Sequence, residues 1–432
     1  MADTIYALSS GRLPAAIAVI RISGPKASEG LIALTGKVPE PRKAAYAVFR
    51  DPDSRETLDD GLAVWVPGPK SETGDDMAEL HVHGGQAIVA SIFRVFERLS
   101  GFRPAEAGEF TRRALLNGKI DLARVEGLGD LIAAETEAQR RQAVAQFRGG
   151  LSKKVEAWRE KLLSAQAEIA AAIDFSDEGD VPGNLLVAAR KTASGLLAEI
   201  EPVLRDAPRG ERLRDGFTVA ITGAPNVGKS TLLNRLAERD IAIVSDIPGT
   251  TRDVLEVALD LNGVPVMLID TAGIRETRDP VEAEGVKRAR ARAQAADLVL
   301  CLVDDERVLK PRGEREWAIR TKADLRAVPA PPGEIAVSAK TGAGIDMLIE
   351  RLSAAASRLA GEPALVTHAR QRKALSEAAS HLKMLEKPEI ADREELFAEE
   401  LRLAADCLGR ITGNIGIEDV LGEIFKNFCV GK

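Results

Sequence analysis

Residues Gly223-Ala-Pro-Asn226-Val227-Gly228-Lys229-Ser230 follow an apolar run, Phe217 to Ile221, and precede a stretch from Thr231 to Ala237 that reads as a helix. The spacing is that of a phosphate-binding loop, G-x(4)-G-K-[ST], in the strand–loop–helix setting that gives such a match its meaning. A loop of this kind places the surrounding segment in an α/β domain of the Ras-like type. Its backbone N–H groups wrap phosphate oxygens, Lys229 reaches the terminal phosphates, and Ser230 offers a hydroxyl to Mg²⁺. The helix N-terminus, from Thr231 on, adds its positive dipole. Asn226, Val227 and Gly228 belong to the same cradle, and the implied ligand is a nucleoside triphosphate.

The downstream elements favour GTP over ATP. Asp270-Thr271-Ala272-Gly273 closes a second apolar run, Val264 to Ile269, and fits D-x-x-G, whose Asp meets Mg²⁺ through water and whose Gly N–H meets the γ-phosphate. Thr321-Lys322-Ala323-Asp324 fits N-K-x-D except at its first position; Asp324 accepts the guanine N–H groups and Lys322 covers the base. Ser338-Ala339-Lys340, after Ile335 to Val337, matches the last guanine-side motif. Thr321 in place of Asn removes a side-chain amide, which predicts some loss of loop order and weaker affinity with guanine preference kept. The stretch from Asp304 to Thr321 is short for a full helical crossover, so that corner is expected to be trimmed.

Between these parts lies Ser245-Asp246-Ile247-Pro248-Gly249-Thr250-Thr251-Arg252-Asp253, a Gly/Pro-containing loop suited to a switch that orders around nucleotide, with Thr251 the better Mg²⁺ ligand. Val254 to Leu261 then alternates, and Asn262-Gly263 signals a two-residue hairpin. After Gly273 comes Ile274, where Ras-type enzymes carry a water-orienting glutamine, so another group must take that role.

The net charge of −7 argues against a chain that binds nucleic acid over its whole surface. Any such contact must be local; Arg140, Arg141, Arg148, Lys153, Lys154, Arg159 and Lys161 form the best run, although acidic residues are interleaved. Gly413-Asn-Ile-Gly416 fits the G-x-x-G of a KH loop only formally. Hydrophobic residues at 45% over 432 positions supply core for two or three domains. Three scattered cysteines, Cys301, Cys407 and Cys429, form neither a disulfide framework nor a zinc pattern. With no signal peptide and no membrane-length apolar run, a cytoplasmic location is expected.

Four sections follow from the pattern: 1–118 with mixed short strands and helices (α+β), 119–210 helical, 211–362 the α/β P-loop GTPase, and 363–432 helical again. The GTPase is thus expected as an insertion into a helical domain built from both flanks, entered through Pro202 and Asp206–Gly210. In the first flank Val155, Trp158, Leu162, Ala165, Ile169 and Ile173 recur at helical spacing and predict one buried face; Leu401, Ala405 and Leu408 do the same in the second.

The ends of the chain carry a further signal. Phe428-Cys429-Val430-Gly431-Lys432, the block Gly249-Thr-Thr-Arg-Asp253, and the N-terminal blocks Val19-Ile-Arg-Ile-Ser-Gly24, Glu79-Leu-His-Val-His-Gly-Gly85, Arg103–Arg112 and Asn117-Gly-Lys-Ile-Asp-Leu122 together closely resemble the tRNA modification GTPase family MnmE (TrmE). A ribosome-assembly or signalling GTPase, the alternative, would lack these blocks. The resemblance implies a K⁺ ion held by Asn226 with oxygens of Ser245, Ile247 and Thr250, and it implies Glu282 as the group that orients water. It implies an N-terminal folate-binding-like domain in which Arg21, Glu79, Lys119 and Lys432 hold 5-formyl- or 5,10-methylene-tetrahydrofolate, with Cys429 as a possible functional thiol. It also implies a homodimer working with an FAD-dependent (MnmG-like) partner on tRNA, at C5 of the wobble uridine.

Overall fold

The computed structural model describes residues 3–174, 185–239, 241–243, 256–270, 296–304, 315–325, 334–391, 393–415, 424–425, 428 and 430–431. These residues group into two units. One contains residues 1–129, 152–161 and 405–432; the other contains 130–151 and 162–404.

The first unit is built on a six-stranded sheet of β1 (Thr4–Leu8), β2 (Ala15–Ser23), β3 (Ala45–Arg50), β4 (Thr57–Val66), β5 (Met77–Gly84) and β6 (Phe102–Pro104), ordered β3-β4-β5-β2-β1-β6. All neighbours are antiparallel except β1 and β6. Side chains alternate across a strand, so Ala18, Ile20 and Ile22 of β2 point to one face and are buried there. Helices α1 (Ala27–Thr35) and α2 (Gln86–Arg98) close that face with Leu31, Leu34, Ile92 and Phe96. The opposite face is apolar in part and open: Ile17, Tyr46 and Leu62 are 62%, 65% and 40% exposed. Helices α3 (Glu109–Leu116) and α4 (Leu122–Ala133) follow, and Leu115, Leu122 and Val125 pack with Phe425 and Phe428 near the C-terminus. An antiparallel bridge pairs Ala107 with Val430, and Ser9 Oγ donates to the Gly431 carbonyl at 2.8 Å. This is the α+β section that the short strands predicted.

Helices α5 (Glu137–Phe147), α6 (Gly150–Asp174) and α7 (Leu185–Asp215) come next. Val155, Trp158, Leu162, Ala165 and Ile169 are all buried, as their spacing predicted; the side chain of Ile173 lies outside the described residues. The expectation at Pro202 and Pro208 is corrected. Read as the entrance to the next domain, both sit inside α7, which runs unbroken to Asp215. A proline costs a helix one hydrogen bond, and tertiary contacts hold this one on both sides. Gln142 Nε2 donates to the Gly210 carbonyl at 2.9 Å, and Gln139 Nε2 to that of Arg214 at 3.0 Å. A Cβ at Gly210 would stand 2.2 Å from the Val366 carbonyl oxygen, so α7 approaches the 364–366 segment as only glycine permits.

The second sheet contains β7 (Phe217–Gly223), β8 (Glu256–Leu261), β9 (Val264–Asp270), β10 (Leu298–Val303), β11 (Glu316–Arg320) and β12 (Ile335–Ala336), with helix α8 (Lys229–Ala237) after β7 and α9 (Ile345–Ala356) after β12. Strand order is β12-β11-β10-β7-β9-β8, parallel throughout except for β8. Consecutive burial of Val219, Ala220 and Ile221 in β7 and of Leu268, Ile269 and Asp270 in β9 is what central parallel strands covered on both faces require, whereas β10 alternates. β11 lies parallel to β10 with only 304–315 between them, so the short connection still delivers a strand. Asn262 and Gly263 both adopt positive φ (56° and 83°), the two-residue turn that Asn-Gly predicted. The tip is fastened, since the Ala138 N–H at the start of α5 donates to the Gly263 carbonyl at 3.0 Å.

Beyond the second sheet, α10 (Ala369–Met384) packs against α7, and α11 (Glu394–Thr412) buries Leu401, Ala405 and Leu408 as predicted. Gly413, at φ 83°, ends α11: its N–H and that of Asn414 return to the Gly409 carbonyl, so this glycine terminates a helix.

Candidate functional site

In an open parallel sheet, ligands bind at the carboxyl ends of the strands where the order reverses. Here that point is β7, flanked by β10 and β9, and the Gly223–Ser230 loop leaves from its end. The loop curls because three of its residues adopt positive φ: Gly223 at 144°, Asn226 at 62° and Gly228 at 105°. Gly223 is also sterically required, since a Cβ would lie 2.6 Å from the Leu302 carbonyl oxygen. Gly228 then caps α8, whose first N–H groups have no partner within the helix.

Lys229 is buried and folds back over the loop, donating from Nζ to the carbonyls of Gly223 (2.9 Å) and Ala224 (2.8 Å). Ser230 Oγ stands 3.3 Å from Asp270 Oδ2, which joins the loop to the buried carboxylate ending β9. A hydroxyl and a carboxylate are the hard oxygen donors that suit Mg²⁺, directly or through water. Thr231 follows on the exposed side of the first turn. The structure thus brings together Asn226, Val227, Gly228, Lys229, Ser230 and Asp270.

The residues expected on the guanine side lie at three strand ends. Lys322, in a left-handed conformation (φ 55°), donates from Nζ to Asp304 Oδ2 at 2.6 Å. Asp324 sits in a single 3₁₀ turn, and Ser338 Oγ donates to its Oδ1 at 2.6 Å. That bond, with help from the Lys340 charge, holds the Asp324 carboxyl below the ordinary aspartate range. The Ser338 hydroxyl also receives the Thr341 N–H (3.2 Å), so Ser338, Ala339 and Lys340 form a turn with its hydroxyl aimed at Asp324. Thr321 stands where the motif carries Asn. Its hydroxyl is buried and donates to the Val227 carbonyl at 2.7 Å, a bond between base side and phosphate loop.

Ser245, Asp246, Ile247, Pro248, Gly249, Thr250, Thr251, Thr271, Ala272, Gly273 and Glu282 lie outside the described residues, as do Cys429 and Lys432. In the first unit, Arg21 and Glu79 are cross-strand partners on β2 and β5, with Nε to Oε1 at 3.1 Å. Glu72 approaches the same guanidinium at 3.1 Å, and His81 Nε2 lies 3.3 Å from Glu79 Oε2. Lys119 Nζ donates to the Pro69 carbonyl at 2.7 Å, so the loop carrying Pro69 and Glu72 touches both basic residues.

Sequence reasoning missed Asp304 and Glu72. Asp304 was the easier to find, because an acid at the end of the buried run Leu298–Val303 occupies a strand terminus on the ligand side. The candidate basic run is compensated in part: Arg140 and Arg141 both bind Glu137 and Arg159 pairs with Glu156, while Lys154 lies over Trp158.

Two family models match the chain, the GTP-binding protein TrmE N-terminus over residues 4–119 and the MnmE helical domain over 122–429. A tRNA modification GTPase MnmE of Azorhizobium caulinodans is 55% identical over 431 residues, covering 100% of this chain and 99% of that protein. The chain belongs to the MnmE family of tRNA modification GTPases. MnmE proteins of Bradyrhizobium sp. and Methylorubrum populi are each 51% identical, over 100% of this chain and 99% and 98% of theirs. The MnmE match extends from the first sheet to the C-terminal helices, so the P-loop GTPase and both flanking parts belong to one family architecture. Among the described residues no helix is long and apolar enough to cross a membrane.

Proposed function

We propose that this chain is a K⁺-stimulated GTPase that, with an FAD-dependent partner, installs a carboxymethylaminomethyl or aminomethyl group at C5 of the tRNA wobble uridine, using a tetrahydrofolate one-carbon unit. The observation that carries the nucleotide half is the meeting of Lys229, Ser230 and Asp270 at the end of β7, with Asp324 braced by Ser338 on the base side. The tRNA half rests on what the relatives are named for.

Lys229 and the loop amides bind and orient the phosphates, and Asp324 selects guanine. Ser230, Asp270 and Thr251 would hold Mg²⁺, and Asn226, Ser245, Ile247 and Thr250 would hold K⁺; the ions would supply positive charge for phosphoryl transfer. Asn226 is exposed on the loop, and its side-chain oxygen is the donor type a monovalent cation accepts. Glu282 orients the attacking water, a role Ile274 cannot take.

Arg21, Glu79, Lys119 and Lys432 hold the folate; the Arg21–Glu79 pair supplies adjacent donors and acceptors for amide-like pterin edges and a glutamate tail. The homodimer draws support from the open apolar face at Ile17, Tyr46 and Leu62. The division into 1–118, 119–210, 211–362 and 363–432 stands as part of this proposal, with α7 crossing its second boundary.

Mass spectrometry of tRNA nucleosides from cells lacking the protein tests the reading. The C5-modified wobble uridine should vanish and return with the intact gene but not with Lys229→Ala. An unchanged profile would leave a GTPase without this chemistry.

A further inference from the structure

In a chain of net charge −7, contact with a polyanion falls to places where arginines gather without acids. One such place lies at the end of the second sheet opposite the phosphate loop. An open cleft of about 600 Å³ is formed there at the starts of β7, β10 and β11, beside the ends of α7 and α9. Arg212, Arg315 and Arg358 line it together with Trp317, and Asp297 is the one acid among its described lining residues. Asp297 binds Arg212 at 3.0 Å. The acids at the end of α7 are also engaged, Glu211 with Arg372 at 2.8 Å and Asp215 with Arg214 at 2.7 Å. Glu316 leaves β11 on the face opposite to Trp317, by strand alternation.

Arg315 and Arg358 are exposed, and among the described residues neither guanidinium has an ion-pair or hydrogen-bond partner. Arg351, on α9, lies over the Trp317 ring at 5.9 Å and adds a fourth cation. An exposed arginine without an acid keeps its charge for an incoming anion, and its planar fork fits a phosphate. The four arginines come from α7, the approach to β11, α9 and the turn after it, so no basic run marks them in the sequence.

We propose that this cleft is a contact surface for the phosphate backbone of tRNA, with Arg315 and Arg358 as its ionic contacts and Trp317 as its aromatic wall. The inference rests on the reading of the chain as one that acts on tRNA. Cationic groups beside an aromatic ring are the combination that grooves for nucleic acid use, which favours RNA over an acidic protein segment. The seven residues of β7, about 20 Å of strand, separate the cleft from the phosphate loop. RNA and guanine nucleotide are therefore held at opposite ends of one sheet, without competing.

The test is fluorescence anisotropy of labelled tRNA with the full-length protein across a KCl series, comparing the protein as found with Arg315→Gln/Arg358→Gln and Arg315→Lys/Arg358→Lys. The glutamine pair should bind at least about tenfold more weakly near 0.1 M salt. Its plot of log affinity against log salt should be shallower by about 1.5, since each neutralised phosphate contributes roughly 0.7 to 0.9. The lysine pair keeps both charges and should keep the slope. GTP hydrolysis without tRNA should be the same in all three.

Equal affinity and slope in the glutamine pair would overturn the inference. So would weaker binding with an unchanged slope, since the loss would then not be ionic, and so would a parallel fall in tRNA-free GTP hydrolysis. Intact tRNA binding with lost association of the FAD-dependent partner would make the cleft a protein interface and equally defeat the assignment. If the glutamine pair does not fold, Arg315→Gln alone decides, with about half the change in slope expected. An unmodified protein that binds no tRNA at any salt would remove the tRNA reading itself, whereas binding that ignores these substitutions removes only the cleft.

Discussion

The two sheets build their candidate sites by different means. At the end of β7 the phosphate cradle is backbone: Gly223, Asn226 and Gly228 adopt positive φ and curl the loop, and Lys229, Ser230 and Asp270 add side chains. On the first sheet the Arg21–Glu79 pair is made across strands β2 and β5, from residues distant in sequence and ordinary in backbone. A parallel sheet collects all its ligand-side loops at one edge, so short contiguous motifs suffice. An antiparallel sheet presents a face, so its site depends on register and on a loop, here 69–76, folding over it. Damage to the former should therefore act through conformation, and damage to the latter through single side chains.

The sharpest way to break this contrast is at Gly344. It adopts φ 74°, and a Cβ there would sit 1.9 Å from the Ala336 carbonyl oxygen, beneath the Ser338 turn. Gly344→Ala should destabilise the second unit by about 3 kcal/mol, the upper range for overpacking, and weaken guanine binding without touching a ligand-facing side chain. Denaturant unfolding followed at Trp317, together with GDP titration, checks both. A variant of normal stability would show that the guanine side does not depend on backbone conformation.

At the first sheet Arg21→Gln removes a charge that meets two carboxylates. Folate affinity should fall by roughly 30-fold, the worth of about 2 kcal/mol of charge-assisted hydrogen bonding, while GTP turnover in the absence of folate holds. Calorimetry with 5-formyl-tetrahydrofolate and a phosphate-release assay separate the two, and a parallel loss of GTP turnover would erase the distinction between the sites.

The smallest effect is a shift in pH dependence. Ser338 holds the Asp324 carboxyl below its ordinary range, so the carboxylate proposed to read guanine persists as pH falls. Ser338→Ala raises that carboxyl toward the usual value, so GDP affinity should begin to fail at a higher pH than in the unmodified protein. Coincident acid limbs for the two proteins would show that the hydroxyl orients the carboxylate without tuning its ionisation.

What was legible in the sequence had local causes. The phosphate loop, the Asn262-Gly263 turn and the buried stripe from Val155 to Ile169 each need only neighbouring residues and a backbone period, and each appears as read. Pro202 and Pro208 misled for the complementary reason. Proline predicts what a helix loses locally, whereas Gln139, Gln142 and the glycine contact at 210 hold α7 together from outside.

The sequence by itself determined that this chain carries a P-loop GTPase with the motifs of the MnmE family, because those motifs are contiguous and each residue type answers to a phosphate, a metal or a base. Only the tertiary structure decided that Thr321 reaches Val227 across 94 positions, that Asp304 holds Lys322, and that Glu72 joins Arg21. The physical reason is common to all three. A hydrogen bond depends on distance in space, and only the assembled sheet, or the loop folded over it, brings these partners within reach.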